Sequence, residues 1–240
     1  MITKTKPRPW TAEDIKNLKD LKKRKYSLKT IAFILERSEV AVQIKWKRLH
    51  KKDESYNIGH LEEKYNTNKE FISKLRPDGN YFKILDLYAG KSSYYKEISN
   101  INLISNDKEY PGGDYQEDAL KVLCSLYSEG ASFDVIDLDP FGSAYECFDL
   151  SLKMASKGII ITYGEMGHLR WKRLDYVERF YNINTLEEFT IERLIEETNK
   201  IAKRNKKVLI PIFVKKWRNI SRVYYIINKY KIDVWRTRGK

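Results

Sequence analysis

An acidic residue, a proline and an aromatic ring stand together at the end of one apolar run. The run covers residues 133–136 and leads into Asp137-Leu138-Asp139-Pro140-Phe141-Gly142-Ser143. A carboxylate or a nearby carbonyl can accept hydrogen bonds from an amino group, while Pro140 removes a backbone donor and fixes its own φ. The ring of Phe141 offers a flat face on which a base can stack. These residue types suit an enzyme that holds the exocyclic amine of a nucleobase, although an ordinary strand that ends in a proline turn has the same pattern.

Another carboxylate is expected at the end of a strand about fifty residues upstream. Residues 83–90 form an apolar run that reaches Asp86 and then Gly90, and residues 92–98 could open a helix. A strand, a tight glycine turn and a helix form the first unit of a doubly wound sheet. Ligands bind such sheets at the carboxyl ends of the strands, which is where we expect Asp86 to lie.

Two more acids follow at intervals that fit the same sheet. Residues 102–107 predict a short strand that ends at Asp107, about twenty positions after the glycine turn, where an acid is well placed for ribose hydroxyls. Asp118 falls in the next loop, directly before an apolar, helix-like segment at residues 120–126. Successive strands therefore end near carboxylates, with Asp118 in a loop between them.

This ordered series resembles the class I S-adenosylmethionine-dependent methyltransferases, over about residues 80–230. Asp86-Leu87-Tyr88-Ala89-Gly90 is similar to the first motif of that family. The resemblance implies an α/β fold with a Rossmann-like class I methyltransferase sheet and S-adenosyl-L-methionine as cofactor. It implies that the methionine part of the cofactor is framed by Asp86 and Gly90, with backbone groups of Tyr88 and Ala89 alongside. It further implies that Asp107 binds the ribose hydroxyls and that Asp118 binds the adenine amine.

The later motif resembles the catalytic motif of the amino-methyltransferases. Asp139-Pro140-Phe141-Gly142 is most similar to the tRNA guanine-N2 dimethyltransferase family. The resemblance implies that Phe141 stacks on a flipped base, while Asp139 and the Pro140 carbonyl accept the hydrogens of its amine. Guanine N2 is the favoured target, with adenine N6 and cytosine N4 left open. No metal and no covalent intermediate is expected.

The remaining apolar segments extend the predicted sheet. Residues 157–163 read as a fully buried strand, and residues 187–202 have a helical pattern of apolar positions. Residues 208–214 and 222–227 read as a closing antiparallel pair. Pro211 within the first of these predicts a bulge or an edge strand.

The N-terminal segment predicts a separate three-helix domain. Thr11 and Ser27 suit helix N-caps, and a third helix should follow Ser38. The pattern is similar to Myb/SANT-like or homeodomain-like helix-turn-helix domains, in which the third helix enters the DNA major groove. The resemblance implies base contacts from Gln43 and Lys47 and phosphate contacts from Lys45, Arg48, Lys51 and Lys52. A three-helix cap that only packs on the enzyme is the alternative.

Charge is distributed in a way that favours a nucleic-acid partner. Residues 1–52 carry 16 Lys and Arg against 5 Asp and Glu, and residues 201–240 carry 13 against 1. Since the whole chain has a net charge of +13, the centre is acidic. Two basic ends would bind phosphates in a salt-dependent way, although solubility alone could also account for the lysines.

Residues 164–173 follow the strand that ends at Tyr163 and contain the cations Arg170 and Lys172. They predict either a mobile loop that closes over a flipped base or an ordinary surface loop. Cys124 and Cys147 are expected to be buried core residues rather than disulfide partners, which favours a reducing cytoplasm. The sequence has no apolar run long enough to cross a bilayer.

The predicted organisation is a helix-turn-helix domain at residues 1–52, a linker and leading helix at 53–79, and a methyltransferase domain at 80–240. The predicted function is methyl transfer from S-adenosyl-L-methionine to an exocyclic base amine, in DNA rather than tRNA. Two alternatives stay open. One is a tRNA guanine-N2 methyltransferase. The other is a DNA-binding regulator with an inactive fold, because Lys91-Ser92-Ser93 stand where the family usually has its second glycine.

Overall fold

A computed structural model describes residues 9–49, 58–91 and 93–230 of the chain. Contacts divide the chain into two compact units, Met1–Leu61 and Glu62–Lys240. Among the described residues, no helix has both the length and the apolar character needed to cross a membrane.

The described residues 9–49 of the N-terminal unit contain three short helices: α1 (Ala12–Lys23), α2 (Leu28–Ile34) and α3 (Glu39–Leu49). The predicted caps at the starts of the first two are confirmed. Thr11 and Asp14 form a reciprocal capping box, and the Ser27 side chain accepts from the backbone N–H of Thr30. Ser38 similarly accepts from the N–H of Ala41 at 3.2 Å. Such caps satisfy N–H groups that lack a partner within the helix.

One apolar side chain from each helix is fully buried at the centre of this unit. Leu18, Ile31 and Val42 are 0% exposed. Beside them, Arg37 pairs with Asp14 at 2.8 Å and lies 4.2 Å from the centre of the Trp10 ring. A tight turn between α2 and α3 is therefore fixed by packing and by one largely buried ion pair.

A six-stranded sheet with the order β2-β1-β3-β4-β6-β5 is the centre of the second unit. The strands are β1 (Phe82–Asp86), β2 (Ile101–Ser105), β3 (Phe133–Leu138), β4 (Ala155–Tyr163), β5 (Lys207–Trp217) and β6 (Ile220–Lys229). The first four are parallel, and β6 runs antiparallel to both β4 and β5. The predicted α/β fold and its closing antiparallel pair are confirmed.

The expectation for Pro211 is also confirmed. The pairing of β5 with β6 shifts register between Pro211 and Phe213, and β5 is an edge strand. Both placements follow from the missing N–H of proline, which cannot contribute to a sheet ladder.

Helices cover the two faces of the sheet: α4 (Ile58–Leu75), α5 (Ala119–Ser128), α6 (Tyr145–Met154), α7 (Asp175–Tyr181) and α8 (Ile191–Arg204). Successive strand residues point to opposite faces. Ile84 and Val135 accordingly share one core with Phe71 of α4, whereas Leu85 and Ile136 belong to a larger core that includes residues of the other four helices.

Two expectations are wrong. The described residues 93–100 form turns rather than a helix between β1 and β2, because the side chains of Ser93 and Tyr95 are bound to buried carboxylates at the strand ends. Cys147 is buried as predicted, but Cys124 is exposed, since α5 turns its neighbours Leu123 and Leu126 toward the core.

Candidate active site

The carboxylate of Asp139 lies just beyond the carboxyl end of β3 and is paired with a lysine from α4. Lys64 Nζ is 3.1 Å from one oxygen of Asp139 and 2.8 Å from the other. The two side chains are 10% and 15% exposed, so the pair lies at the edge of the interior. The N-terminal half of α4 thus contributes directly to this strand end.

Beneath this pair lies a fully buried arginine from β6. Arg222 Nη2 donates to Asp137 Oδ2 at 2.5 Å, and Nη1 is 3.5 Å from Asp139 Oδ2. The guanidinium also donates to the hydroxyls of Thr162 at 2.8 Å and Tyr224 at 3.1 Å and to the side-chain oxygen of Asn68 at 3.3 Å. Because successive strand side chains alternate, Asp137 and Asp139 point to the same face of β3, where one arginine can serve both.

These cations keep Asp139 ionised. Burial alone would raise the pKa of Asp139, but the charges of Arg222 and Lys64 outweigh it and hold the pKa below its ordinary value. An ionised carboxylate is an acceptor only. Asp139 can therefore accept an N–H from a bound ligand, and it has no proton to donate.

In the described part of the chain, the side chain of Asp86 is bound by a hydroxyl group rather than by a cation. Its Oδ2 accepts from Ser93 at 2.5 Å, and the residue is 2% exposed. Burial, followed by the charge of Asp137, raises the pKa of Asp86 to about 8. The cluster of three carboxylates and two cations therefore holds a proton on Asp86 at neutral pH.

The turn after β1 is tied to the end of β2. Gly90 has a φ of 61°, and its N–H donates to Asp107 Oδ2 at 2.9 Å. The other oxygen of Asp107 accepts the N–H groups of Glu109 and Tyr110, and the N–H of Ala89 donates to the carbonyl of Asn106. The structure thus brings Ala89, Gly90 and Asp107 together at one edge of the sheet.

Asp118 and Tyr88 lie on the side of α5 and α6. Asp118 is the N-cap of α5, accepts from the N–H of Leu120 and is 3.4 Å from Lys108 Nζ. The Tyr88 hydroxyl is 3.3 Å from Cys147 Sγ, and burial raises its pKa above the ordinary value.

The residues after Asp139 leave an aromatic ring in solvent. Phe141 is fully exposed, and the N–H of Gly142 donates to the carbonyl of Pro140 at 3.0 Å. This loop is held against the segment after β4, because a Cβ added to Gly164 would lie 2.0 Å from the Gly142 carbonyl oxygen. Only glycine allows that approach.

A buried glutamate supports the same loop. Ser143 donates to Glu165 Oε1, and the hydroxyl of Tyr181 donates to the same oxygen at 2.9 Å. Glu165 is 1% exposed, and burial raises its pKa above the ordinary value. It lies in a 3₁₀ helix, Gly164–Trp171, which replaces the predicted loop.

The predicted nucleic-acid contacts fall into described and undescribed residues. Gln43 and Lys47 are exposed on α3, and Lys45 Nζ is 5.8 Å from the centre of the Trp10 ring. Arg170 and Lys172 are exposed. The side chain of Arg48 and the whole of Lys51 and Lys52 lie outside the described part of the chain.

Several residues of this site were missed by sequence reasoning: Lys64, Asn68, Ser93, Tyr95, Asp137, Glu165, Trp217 and Arg222. For Arg222, the sequence does contain a signal. An arginine inside the apolar strand at residues 222–227 needs a buried anion. Within the described ranges, no group of three His, Cys, Asp or Glu side chains could hold a metal ion.

No protein-family model matches the sequence, and no curated protein matches it. Among solved structures, the chain is similar to Trm1 from Pyrococcus horikoshii in complex with S-adenosyl-L-methionine, with a TM-score of 0.53 and 16% identity. That alignment covers 68% of this chain and 54% of that one, so this chain matches about half the length of Trm1.

Two further structures are similar at lower scores. Magnesium protoporphyrin IX methyltransferase (ChlM) from Synechocystis with bound SAH has a TM-score of 0.47 and 12% identity, over 75% of this chain and 91% of that chain. The E. cuniculi Mtq2–Trm112 complex has a TM-score of 0.43 and 13% identity, over 68% and 94%. The likeness to Trm1 shows the fold, which is the Rossmann-like α/β fold of the S-adenosylmethionine-dependent methyltransferases.

Proposed function

We propose that this chain transfers a methyl group from S-adenosyl-L-methionine to an exocyclic amine of a nucleobase, with N2 of guanine favoured. One observation carries the proposal: an ionised, cation-paired Asp139 is followed two residues later by the fully exposed ring of Phe141. An acceptor for amine hydrogens and a stacking face thus adjoin each other at a strand end. The motif they form resembles that of the tRNA guanine-N2 dimethyltransferases.

The turn after β1 fits the proposed cofactor. A Cβ added to Gly90 would meet no atom within 4 Å, so there is open space beside the turn. Asp107 Oδ2 accepts one backbone N–H, which leaves it a lone pair for a ribose hydroxyl. When bound, the cofactor supplies an electrophilic methyl group on a cationic sulfur. The proposed contacts are Asp86, Tyr88, Ala89 and Gly90 for the methionine part, Asp107 for the ribose and Asp118 for the adenine amine.

The chain's own contribution is to hold the target amine. The base must leave its stack, because an amine inside a duplex cannot reach the site. Phe141 would then stack on the base, and Asp139, with the Pro140 carbonyl, would accept hydrogen bonds from the amine so that the nitrogen lone pair points toward the methyl group. The proton that the nitrogen loses on methylation would pass to the ionised Asp139. Holding two reactants in line supplies most of the rate gain for such a transfer.

Two polymers are candidates for the substrate that carries the base. Duplex DNA is favoured by the three-helix N-terminal unit, which exposes Gln43 and Lys47 on α3. A tRNA is favoured by the Asp139-Pro140-Phe141-Gly142 motif and by the likeness of the fold to Trm1. Arg170 and Lys172, exposed on the segment after β4, would contact phosphates in either case.

Methyl transfer to both polymers, side by side, tests the proposal. Tritium-labelled S-adenosyl-L-methionine is incubated at low salt with duplex DNA and with unmodified tRNA, and the labelled nucleoside is identified. Label as an N-methylated base supports the proposal, and its polymer decides between the two candidates. No label in either, with cofactor bound, would contradict it and favour a DNA-binding regulator with an inactive fold.

The role of α3 is tested separately by binding. Lys45→Ala should weaken binding to duplex DNA and reduce the slope of log affinity against log salt by about 0.9, because the proposed phosphate contact of Lys45 is lost. Lys19→Ala, on the exposed side of α1, is the matched control and should leave the slope unchanged. Equal slopes for both variants and the unmodified chain would contradict a nucleic-acid contact through α3.

A further inference from the structure

The accessible part of the buried charge cluster is the pair formed by Lys64 and Asp139. Arg222 and Asp137 are at most 1% exposed on their side chains, whereas Lys64 and Asp139 are 10% and 15% exposed. A ligand that reaches the end of β3 therefore meets one ammonium and one carboxylate side by side. The carboxylate remains supported from below by Arg222, 3.5 Å away.

This pair presents two acceptors and one donor group. The ammonium of Lys64 lies within hydrogen-bond distance of both oxygens of Asp139, at 3.1 and 2.8 Å. It therefore occupies the position from which a base edge with two adjacent N–H groups would bind the carboxylate. Such a base must displace the ammonium, which then needs a new acceptor close by.

Guanine supplies that acceptor. Among the four DNA bases, only guanine presents two adjacent donors, N1–H and N2–H, beside an acceptor, O6. Adenine presents one donor beside an acceptor, and its amine would leave one oxygen of Asp139 unused. The chemistry of the pair matches the Watson–Crick edge of guanine group by group.

A second aromatic face lies next to the lysine. The centre of the Trp217 ring is 5.9 Å from Lys64 Nζ, and its indole N–H donates to Glu63 Oε2 at 3.0 Å. Glu63 is also 3.2 Å from Lys215, so the ring is anchored where β5 ends. A base on Asp139 would have an aromatic surface within reach besides Phe141.

We propose that Lys64 is a specificity-determining residue that reads O6 of the target guanine, while Asp139 accepts N1–H and N2–H. In the free chain, Lys64 occupies the acceptors of Asp139, and it moves to O6 when the base binds. The inference rests on the proposed function for its context, since it concerns the same site. It goes further by assigning the base discrimination to one residue of α4.

The affinities of uncharged nucleosides for the full chain, measured by NMR in the absence of cofactor, test this assignment. Guanosine and inosine both carry O6 and N1–H, whereas adenosine and 2-aminopurine riboside carry neither. The unmodified chain should bind the first two about tenfold more tightly than the other two. Nucleosides lack phosphates, so the basic surfaces add little to their affinity.

Substitutions of Lys64 show whether this residue is responsible for the preference for guanosine and inosine. Lys64→Met should abolish the preference, Lys64→Arg should retain most of it, and Lys69→Met, exposed on the same helix, should leave it unchanged. If Lys64→Met does not fold, Lys64→Gln makes the same comparison with a neutral side chain. A folded Lys64→Met or Lys64→Gln variant with the full preference, or an unmodified chain that prefers adenosine, would overturn the inference. Selective guanosine binding without methyl transfer would refute the proposed function and leave the inference standing.

Discussion

Arg222 of β6 donates to Asp137 of β3 across 2.5 Å, and their side chains are 0% and 1% exposed. The two strands are not neighbours, because β4 lies between them. The guanidinium therefore crosses β4, where it also donates to Thr162. This buried pair joins β3, the strand that leads to the candidate catalytic carboxylate, to β6 of the closing antiparallel pair.

Removing the arginine should destabilise the sheet unit. Arg222→Leu leaves Asp137 buried without its cation, and breaking a buried pair from one side costs about 3–5 kcal/mol. Chemical unfolding should show a loss of this size, whereas Arg218→Leu, exposed in the β5–β6 turn, should change the free energy of unfolding by less than about 0.5 kcal/mol. Equal stabilities of the two variants would show that Arg222 is not structurally required.

Gly164 should be needed for activity more than for folding. A Cβ at this position must displace the carbonyl of Gly142, 2.0 Å away, and with it the loop that carries Phe141. A misplacement of about 1 Å can cost about a hundredfold in rate, so we expect a loss of that order in methyl transfer by Gly164→Ala. Gly167→Ala in the same 3₁₀ helix, where the nearest atom is 3.5 Å away, should be nearly as active as the unmodified chain.

Asp86 should make the folded state less stable as pH rises. Its pKa is about 8 in the folded chain against an ordinary 3.8, so between these values the unfolded chain has released a proton that the folded chain keeps. The free energy of unfolding then falls by up to about 1.4 kcal/mol per pH unit from this group alone. The stabilising contribution of protonated Asp86 is fully present below about pH 4 and is lost as the pH rises through about 8.

Asp86→Asn, which is always neutral, removes that dependence. Relative to the unmodified chain, its stability should increase from pH 4 to pH 8 and then level off, as measured by urea unfolding at each pH. Asp78→Asn, at an exposed position, controls for the general effect of one lost charge. Parallel stability curves for Asp86→Asn and the unmodified chain would mean that Asp86 is ionised in the folded state.

Phe141 should matter for substrate and hardly at all for stability. Its side chain is fully exposed, so Phe141→Ala removes no buried contact. A lost base-stacking face is worth about 1–3 kcal/mol, which predicts a fall of about five- to 150-fold in kcat/KM for methyl transfer. Tyr81→Ala, at another exposed aromatic residue of the same unit, should leave kcat/KM unchanged. A similar kcat/KM for both variants would exclude stacking on Phe141.

Much of the sheet could be predicted, because short apolar runs bounded by turn residues are typical of buried strands. β3, β4 and the β5–β6 pair lie where these runs are, and Pro211 marks both the edge strand and the bulge. The helix prediction for residues 92–98 is wrong over the described residues 93–98, because the local sequence pattern does not reveal hydrogen bonds to distant residues. The side chains of Ser93 and Tyr95 serve buried carboxylates, and turns allow both to point inward.

The cations of the site could not be placed from sequence. Lys64 is 75 residues from Asp139, and Arg222 is 85 residues from Asp137. In a chain with 46 Lys and Arg, Lys64 does not differ in type from a surface charge. The apolar run that contains Arg222 indicates a buried anion but does not say which one. Only the fold shows that α4 and β6 bring them to the end of β3, where they fix the ionisation of Asp139.

The most direct test of the proposed chemistry compares the unmodified chain with Asp139→Ala in methyl transfer from labelled S-adenosyl-L-methionine to the preferred nucleic acid. Circular dichroism and cofactor binding confirm that the variant is folded. The expected result is label on a base amine with the unmodified chain and a loss of at least about a hundredfold with Asp139→Ala. Full methyl transfer by a folded Asp139→Ala variant would contradict the assignment of Asp139 as the acceptor of the amine hydrogens.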